Sequence, residues 1–427
     1  MATDKNIINP LLQENFDNLS QFLDRLKCLN EIFAYNEVML NIHQRNMQKK
    51  WDEFIKENGG PDASGKIVVP DAKQRTFKSI ERNLNRAKQA HVLIPPSYLV
   101  SLISLFDTFY SGLVRNIYNL CPNKLRDSEL QFCYRDLQGL DSIREVKRII
   151  VDKKIEDLLR GSHAEQFKWL ADALGVQTLT KFEDWPKFIE LTERRNLFVH
   201  TNGIVSSQYN TICKKNHSFE VDIPVGTQLK INSSYFSDAC DILAKIAVML
   251  SQMLARTLYL KQFPDDILQI DNNLICIVFD FILEKKYNVA IAVSNFALDT
   301  KFKHKDNDRY FIILNLAQSL KWNGQKDECF RLLSEQDCTA WKTELLIPKY
   351  ALEEKFEEAY ESMIELGGNN KVLTASAYRE WPIFQQIRNE KKFSETFQTV
   401  FGEELGVQQE ITIEDKEIEQ SLSIVLS

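Results

Sequence analysis

The 427-residue chain carries 53 Lys plus Arg against 60 Asp plus Glu, a net charge of −7, and 44% hydrophobic residues. These values exclude a disordered chain, a small disulfide scaffold and a uniformly basic nucleic-acid coat, so any nucleic-acid site must be local. With 14 Gly and 11 Pro, roughly half the usual ~7% and ~5%, few positions interrupt helices, and an all-α fold of two or three domains is expected.

From about residue 18 to 57, Leu19, Phe22, Leu23, Leu26, Leu29, Ile32 and Phe33 recur at three- and four-residue steps, which predicts one long amphipathic helix or a helix pair. Gly59, Gly60, Pro61 and Gly65 interrupt the pattern, and Ile67, Val68 and Val69 before Pro70 suit a short strand. A helix over about 72–92 follows. Its Arg75, Lys78, Arg82 and Arg86 share one face, which is either a solvated surface or a phosphate track. Pro95 and Pro96 are expected to open a new, very apolar helix over 97–120. Helices near 127–139 and 141–174 come next, the second stopped by Gly175.

The best-marked element is 185–202: Asp184 is the candidate N-cap, Pro186 lies in the first turn and Gly203 just beyond the end. Residues 219–223 and 228–231, separated by Pro224, Val225, Gly226 and Thr227, read as a β-hairpin, and Ser233 or Ser234 as the cap of a helix reaching about Leu260. After Pro264 short helices joined by polar turns are expected at about 272–285, 287–299, 308–322, 325–334, 340–352 and 355–366.

Ala317, Leu320, Gly324, Cys329 and Leu333 stand where a tetratricopeptide repeat has its packing and turn residues, and Phe356, Ala359, Tyr360 and Met363 look like the second helix of a next repeat. The spacing is irregular, so this part resembles a degenerate tetratricopeptide-like array, closed by Trp381, Pro382, Phe384, Arg388 and Phe393. The acidic end has no aromatics and reads as a tail.

The eight Cys form no CxxC pair and read as buried cytosolic thiols. Singly scattered His43, His91, His163, His217 and His304 offer no metal set, and no phosphate-binding glycine loop or nucleophile elbow occurs, so neither metal nor cofactor is expected. No export signal or long uninterrupted apolar run is evident, which predicts a cytoplasmic protein without a membrane partner.

On an ideal helix Trp185, Phe188, Ile189, Leu191, Phe198 and Val199 form one apolar arc, interrupted by Arg195 and Asn196, with His200 one turn beyond Asn196. A guanidinium in such a face needs a carboxylate or a phosphate. Asp107 on the preceding apolar helix is the expected partner and Glu193 the runner-up. The alternative is purely structural: a buried ion pair, with His200 a cation at the helix end.

The string Arg195, Asn196, Leu197, Phe198, Val199, His200 matches the RxxxxH signature and resembles the HEPN-domain ribonucleases, over about residues 90–260. The resemblance implies a helical bundle that pairs with a second copy, and metal-independent RNA cleavage by the 2′-hydroxyl, leaving a 2′,3′-cyclic phosphate. It implies that His200 moves the proton, Arg195 stabilises transition-state charge, Asn196 orients His200 or binds a phosphate oxygen, and Asp107 holds Arg195. Lys214, Lys215, Arg144, Lys147 and Arg148 are candidate phosphate contacts or plain surface charge.

On this reading 1–90 is an N-terminal helical region, 91–263 a HEPN-like domain with a small hairpin insertion, 264–405 tetratricopeptide-like repeats and 406–427 the tail. The expected function is a toxin or anti-phage endoribonuclease whose partners are RNA, a second copy of the chain and a protein or peptide on the repeats. The competing reading is a non-catalytic dimerising scaffold; an antitoxin or nucleotidyl-transfer partner is a third.

Overall fold

The computed structural model describes residues 8–61, 67–125, 140, 142–176, 179–219, 222–299 and 301–406. The helix expected at 127–139, the tail from 407 and Cys133 lie outside the described residues. Those residues are mostly helical and divide into two units, one of Met1–Ile277 with Asn295–Lys305 and one of Val278–Ser294 with Asp306–Ser427.

The first unit begins with α1, Pro10–Asn58, a single helix rather than a pair. The Asn9 side chain caps it by accepting from the Leu11 N–H at 3.0 Å. Strands β1 (Gly60–Pro61) and β2 (Ile67–Val68) pair antiparallel, and β2 is the short strand expected there.

Helix α2, Gln74–Leu120, runs antiparallel to α1 through Pro95 and Pro96 without a break. The prolines therefore do not open a new helix. They deprive the His91 and Val92 carbonyls of helical partners, but Pro95 is buried and the long packing against α1 holds the axis continuous. By length and composition the helix Asp71–Leu120 is apolar enough to cross a membrane. In this fold its second half supplies Leu99, Leu102, Ile103, Phe106, Phe109 and Tyr110 to the core. Close approach is fixed at Gly112, where a Cβ would lie 2.5 Å from Asn18 Oδ1, and Asn18 Nδ2 donates to the Phe109 carbonyl at 3.0 Å.

The single helix expected over 141–174 is two: α3 (Ile143–Arg160) and α4 (His163–Leu174). Ser162 and Glu165 form a reciprocal capping box that restarts the chain after Gly161. Helix α5 is Trp185–Thr201, almost as expected, and α6, Ser207–Lys215, was not anticipated. Of the expected hairpin, Glu220 and Val221 in its first strand lie outside the described residues, and Gln228 in its second makes an isolated bridge to Ile204. Val205 donates to the Thr227 carbonyl and Leu229 to that of Gly203, so this loop pairs with the chain just after α5.

Helix α7, Ser233–Leu254, is capped by Asn232 rather than a serine and continues through a π-helical turn, Ala255–Tyr259. Asn15 Nδ2 donates to Ser251 Oγ at 2.9 Å, and Phe33 stacks on Phe236 at 4.2 Å, tying α1 to α7. Helices α8 (Ile267–Leu283) and α9 (Tyr287–Ala297) follow, and the division into units passes through both.

In the second unit α10 (Asp306–Trp322) packs on α11 (Lys326–Ser334), and α12 (Thr343–Glu353) on α13 (Phe356–Leu366). Ala317, Leu320, Cys329, Leu333, Ala359, Tyr360 and Met363 are all buried there. Gly324 turns with φ 83°. Helices α14 (Ala375–Glu380) and α15 (Lys391–Phe401) close the unit. Arg388 donates to the Arg379 and Trp381 carbonyls, satisfying the end of α14.

The thiols are less uniformly buried than expected. Cys213, Cys240 and Cys329 are buried, whereas Cys28 and Cys276 are exposed.

Candidate functional site

Helix α5 buries Trp185, Phe188, Ile189, Leu191 and Leu197. The expected apolar arc stops short of the last turn: Val199 is 48% exposed and His200 is exposed beside it. Asp184 precedes the helix but does not cap it with its side chain, because its carboxylate pairs with Lys245 and, at 3.5 Å, with Lys187. The far end is sharply defined. Asn202 adopts φ 53° and Gly203 φ 78°, and the Gly203 N–H donates to the Leu197 carbonyl at 3.0 Å. A Cβ on Gly203 would sit 2.3 Å from the Phe198 ring, so glycine is required both for its backbone and for its lack of volume. Leu197, Val205, Tyr209, Cys213 and Leu229 form a small core that anchors this end. Burial, with help from Glu190 and Glu193, pushes the Cys213 thiol up to about 12, leaving it a packing residue.

Within this helix Arg195 is half-buried. Its Nη1 donates to Asn196 Oδ1 at 3.1 Å, and its buried Nε has no hydrogen-bond partner. Asn196 Nδ2 in turn faces Glu193 Oε1 at 3.5 Å. Burial raises the Glu193 carboxyl above its ordinary value, opposed by Asn196 and His163.

Asp107 does not meet Arg195. Its Oδ1 lies 3.0 Å from His163 Nε2, and the pair is largely shielded. The reason is the restart of α4: the capping box places His163 in the first turn, over α2, where its ring meets Phe188 edge-on at 5.8 Å. The structure thus brings together Asp107 with His163 and Arg195 with Asn196 and Glu193. Neither Arg195, Asn196 nor Asp107 bonds to His200.

The arginine that does hold a carboxylate is Arg194, one position earlier. Glu190 accepts from Arg194 Nε at 2.6 Å and from the hydroxyls of Tyr209 at 2.5 Å and Tyr235 at 2.8 Å. The Arg194 guanidinium lies 4.0 Å over the Tyr235 ring and bonds the Lys230 carbonyl. Burial alone would depress Arg194, but Tyr235 and Glu190 outweigh it and hold it above its ordinary value. Burial first, and then Glu190, raise both tyrosines. Sequence reasoning missed this network and the His163 pair. The available signals were the i,i+4 spacing of Glu190 and Arg194 and the Ser162-x-x-Glu165 box.

Of the candidate phosphate contacts, Lys214 pairs with Asp222 at 3.6 Å, while Lys215, Arg144 and Arg148 are exposed. Arg75, Lys78, Arg82 and Arg86 all lie on a solvated face. Among the described residues no group of three or more His, Cys, Asp or Glu side chains is placed to hold a metal ion. No family model, curated protein or solved structure matches the chain.

Proposed function

We propose that the chain is a metal-independent endoribonuclease of the HEPN kind, acting at the C-terminal end of α5. The observation that carries this reading is Arg195, a half-buried guanidinium without a carboxylate partner among the described residues and with a buried Nε that has no hydrogen-bond partner among them. Such a group favours an incoming phosphate, because its charge cannot be titrated away and its donors are not used up. In the proposed reaction His200 takes the 2′-hydroxyl proton or returns one to the leaving 5′-oxygen. Arg195 stabilises the charge that builds on phosphorus-bound oxygen, and Asn196 holds the Arg195 fork or a phosphate oxygen.

Exposed Val199, with Ile204 (43% exposed) and Val225 (66%) on the adjoining turns, supports pairing of two copies around the two motifs. The family resemblance extends the proposal to a cytoplasmic toxin or anti-phage effector. The tetratricopeptide-like helix pairs of the second unit would then receive a protein or peptide trigger.

One observation favours the second reading, a dimerising scaffold: Asp107, to which the resemblance assigns a part in the site, is engaged by His163 in the packing of α4 on α2. RNA cleavage in EDTA separates the two. Wild-type protein producing 2′,3′-cyclic phosphate ends, with the activity lost in both His200→Ala and Arg195→Ala, is the expected result. Absence of cleavage by wild type, with and without phage-infected cell extract, would favour the scaffold.

A further inference from the structure

A cavity in the first unit has no residue of α5 in its walls. It has a volume of about 770 Å³, within the range of small-molecule sites, and is lined by α4, the chain after it, α7 with its π turn, and residues 296–303. Its walls are apolar: Phe167, Phe182, Ile246, Met253, Phe296 and Phe302 among them. Arg256 on the π turn also faces the cavity, but its donors are taken. Nε bonds Gln252, Nη1 the Lys303 carbonyl at 2.9 Å and Nη2 Asp271 at 2.6 Å. The Thr257 hydroxyl donates to the Met253 carbonyl. The interior therefore has little to offer a base, a sugar or any other polar body.

The rim is different. Lys181, Lys261 and Lys303 are exposed and have no ion-pair partner among the described residues, and the acid on the rim, Asp299, is matched by Lys301 at 3.6 Å. Arg256 also pins the lip of the cavity through Lys303, with its guanidinium 5.7 Å over the Phe302 ring. A one-residue π insertion in α7 puts Arg256 at this wall, and such insertions recur at functional sites.

We propose that this cavity binds a linear acyl chain with an anionic head group, the chain against the phenylalanine and methionine walls and the head among the three rim lysines. The proposal is independent of the ribonuclease reading.

The test is titration calorimetry of the full-length protein with dodecanoate and with dodecyltrimethylammonium, both below micellar concentration. Saturable binding of dodecanoate, with the cationic analogue at least about tenfold weaker, is the expected result. Lys181→Glu/Lys261→Glu/Lys303→Glu alters only exposed side chains and should weaken dodecanoate about tenfold. Met253→Trp, which adds bulk to the apolar wall, should weaken both chains. No saturable binding, equal affinity for both head groups, or a triple variant that binds dodecanoate like the wild type would each overturn the proposal.

Discussion

Two arginines of the first unit, Arg256 and Arg195, occupy opposite kinds of surroundings. Arg256 is 4% exposed, beside Asp271 at 0% and His304 at 1%. Asp271 Oδ1 meets Arg256 and His304, and its Oδ2 accepts from the Lys305 N–H. His304 also contacts the Ala297 carbonyl through Nε2 at 2.8 Å. Every polar atom of that knot has a partner. Arg195 instead has one bond to the neighbouring amide and an orphaned Nε. Buried charge that fixes a fold is closed by protein groups, since an open group costs its full desolvation. The unclosed guanidinium at the edge of solvent is the feature on which the proposed phosphate site rests.

The contrast can be broken most forcefully at Asp271. Asp271→Ala leaves the buried Arg256 guanidinium without its counter-ion and the His304 ring without its partner, and should cost about 3–5 kcal/mol in chemical denaturation. Burial tends to raise the Asp271 carboxyl, but His304 and Arg256 outweigh it and hold it below its ordinary value. Its contribution is therefore fully present above the unfolded value near pH ~4 and is lost as pH falls through the lower folded value. Wild type should lose stability on acidification below about pH 4 more steeply than Asp271→Asn; equal slopes would refute the assignment.

A smaller effect is expected at the second closed cluster. Glu190→Ala should cost about 2–3 kcal/mol, because Arg194 and two buried hydroxyls lose one acceptor. A thermal unfolding scan that shows no loss would mean the cluster relaxes onto water.

At the Asp107–His163 pair a double-mutant cycle sharpens the comparison. Asp107→Ala with His163→Ala should show a coupling of about 1 kcal/mol, whereas Asp107→Ala with Arg195→Ala should be additive within about 0.5 kcal/mol. Coupling to Arg195 instead would restore the partnership expected from the sequence.

The smallest stability effect belongs to His200→Ala, within about 0.5 kcal/mol, since the side chain is exposed at the helix end. RNA cleavage should nonetheless fall by about 10²–10⁴. A variant that cleaves like the wild type removes His200 from the reaction.

Much of the helical framework was legible before any coordinates. Helix α5 and helices α9 to α13 fall within a few residues of their expected bounds, because three- and four-residue apolar steps and Pro, Asn and Gly punctuation act locally. Pro95 and Pro96 were misread for the opposite reason: a local rule was overridden by burial of α2 along the whole of α1. The partners that 228–229 find beside Gly203 and Ile204 were not legible either, because they lie in another segment of the chain.

The candidate site divides in the same way. That Arg195, Asn196 and His200 share the last turns of one helix follows from their spacing, and the helix end follows from Asn202 and Gly203. Which carboxylate serves which cation does not. Asp107 meets a histidine 56 positions away, Glu190 a tyrosine 45 away and Asp271 a histidine 33 away. Sequence by itself determines backbone periods and caps, because these involve neighbours along the chain. Only the packed tertiary structure decides long-range ion pairs and the cavity beside α7, because those depend on how helices distant in sequence are laid against one another.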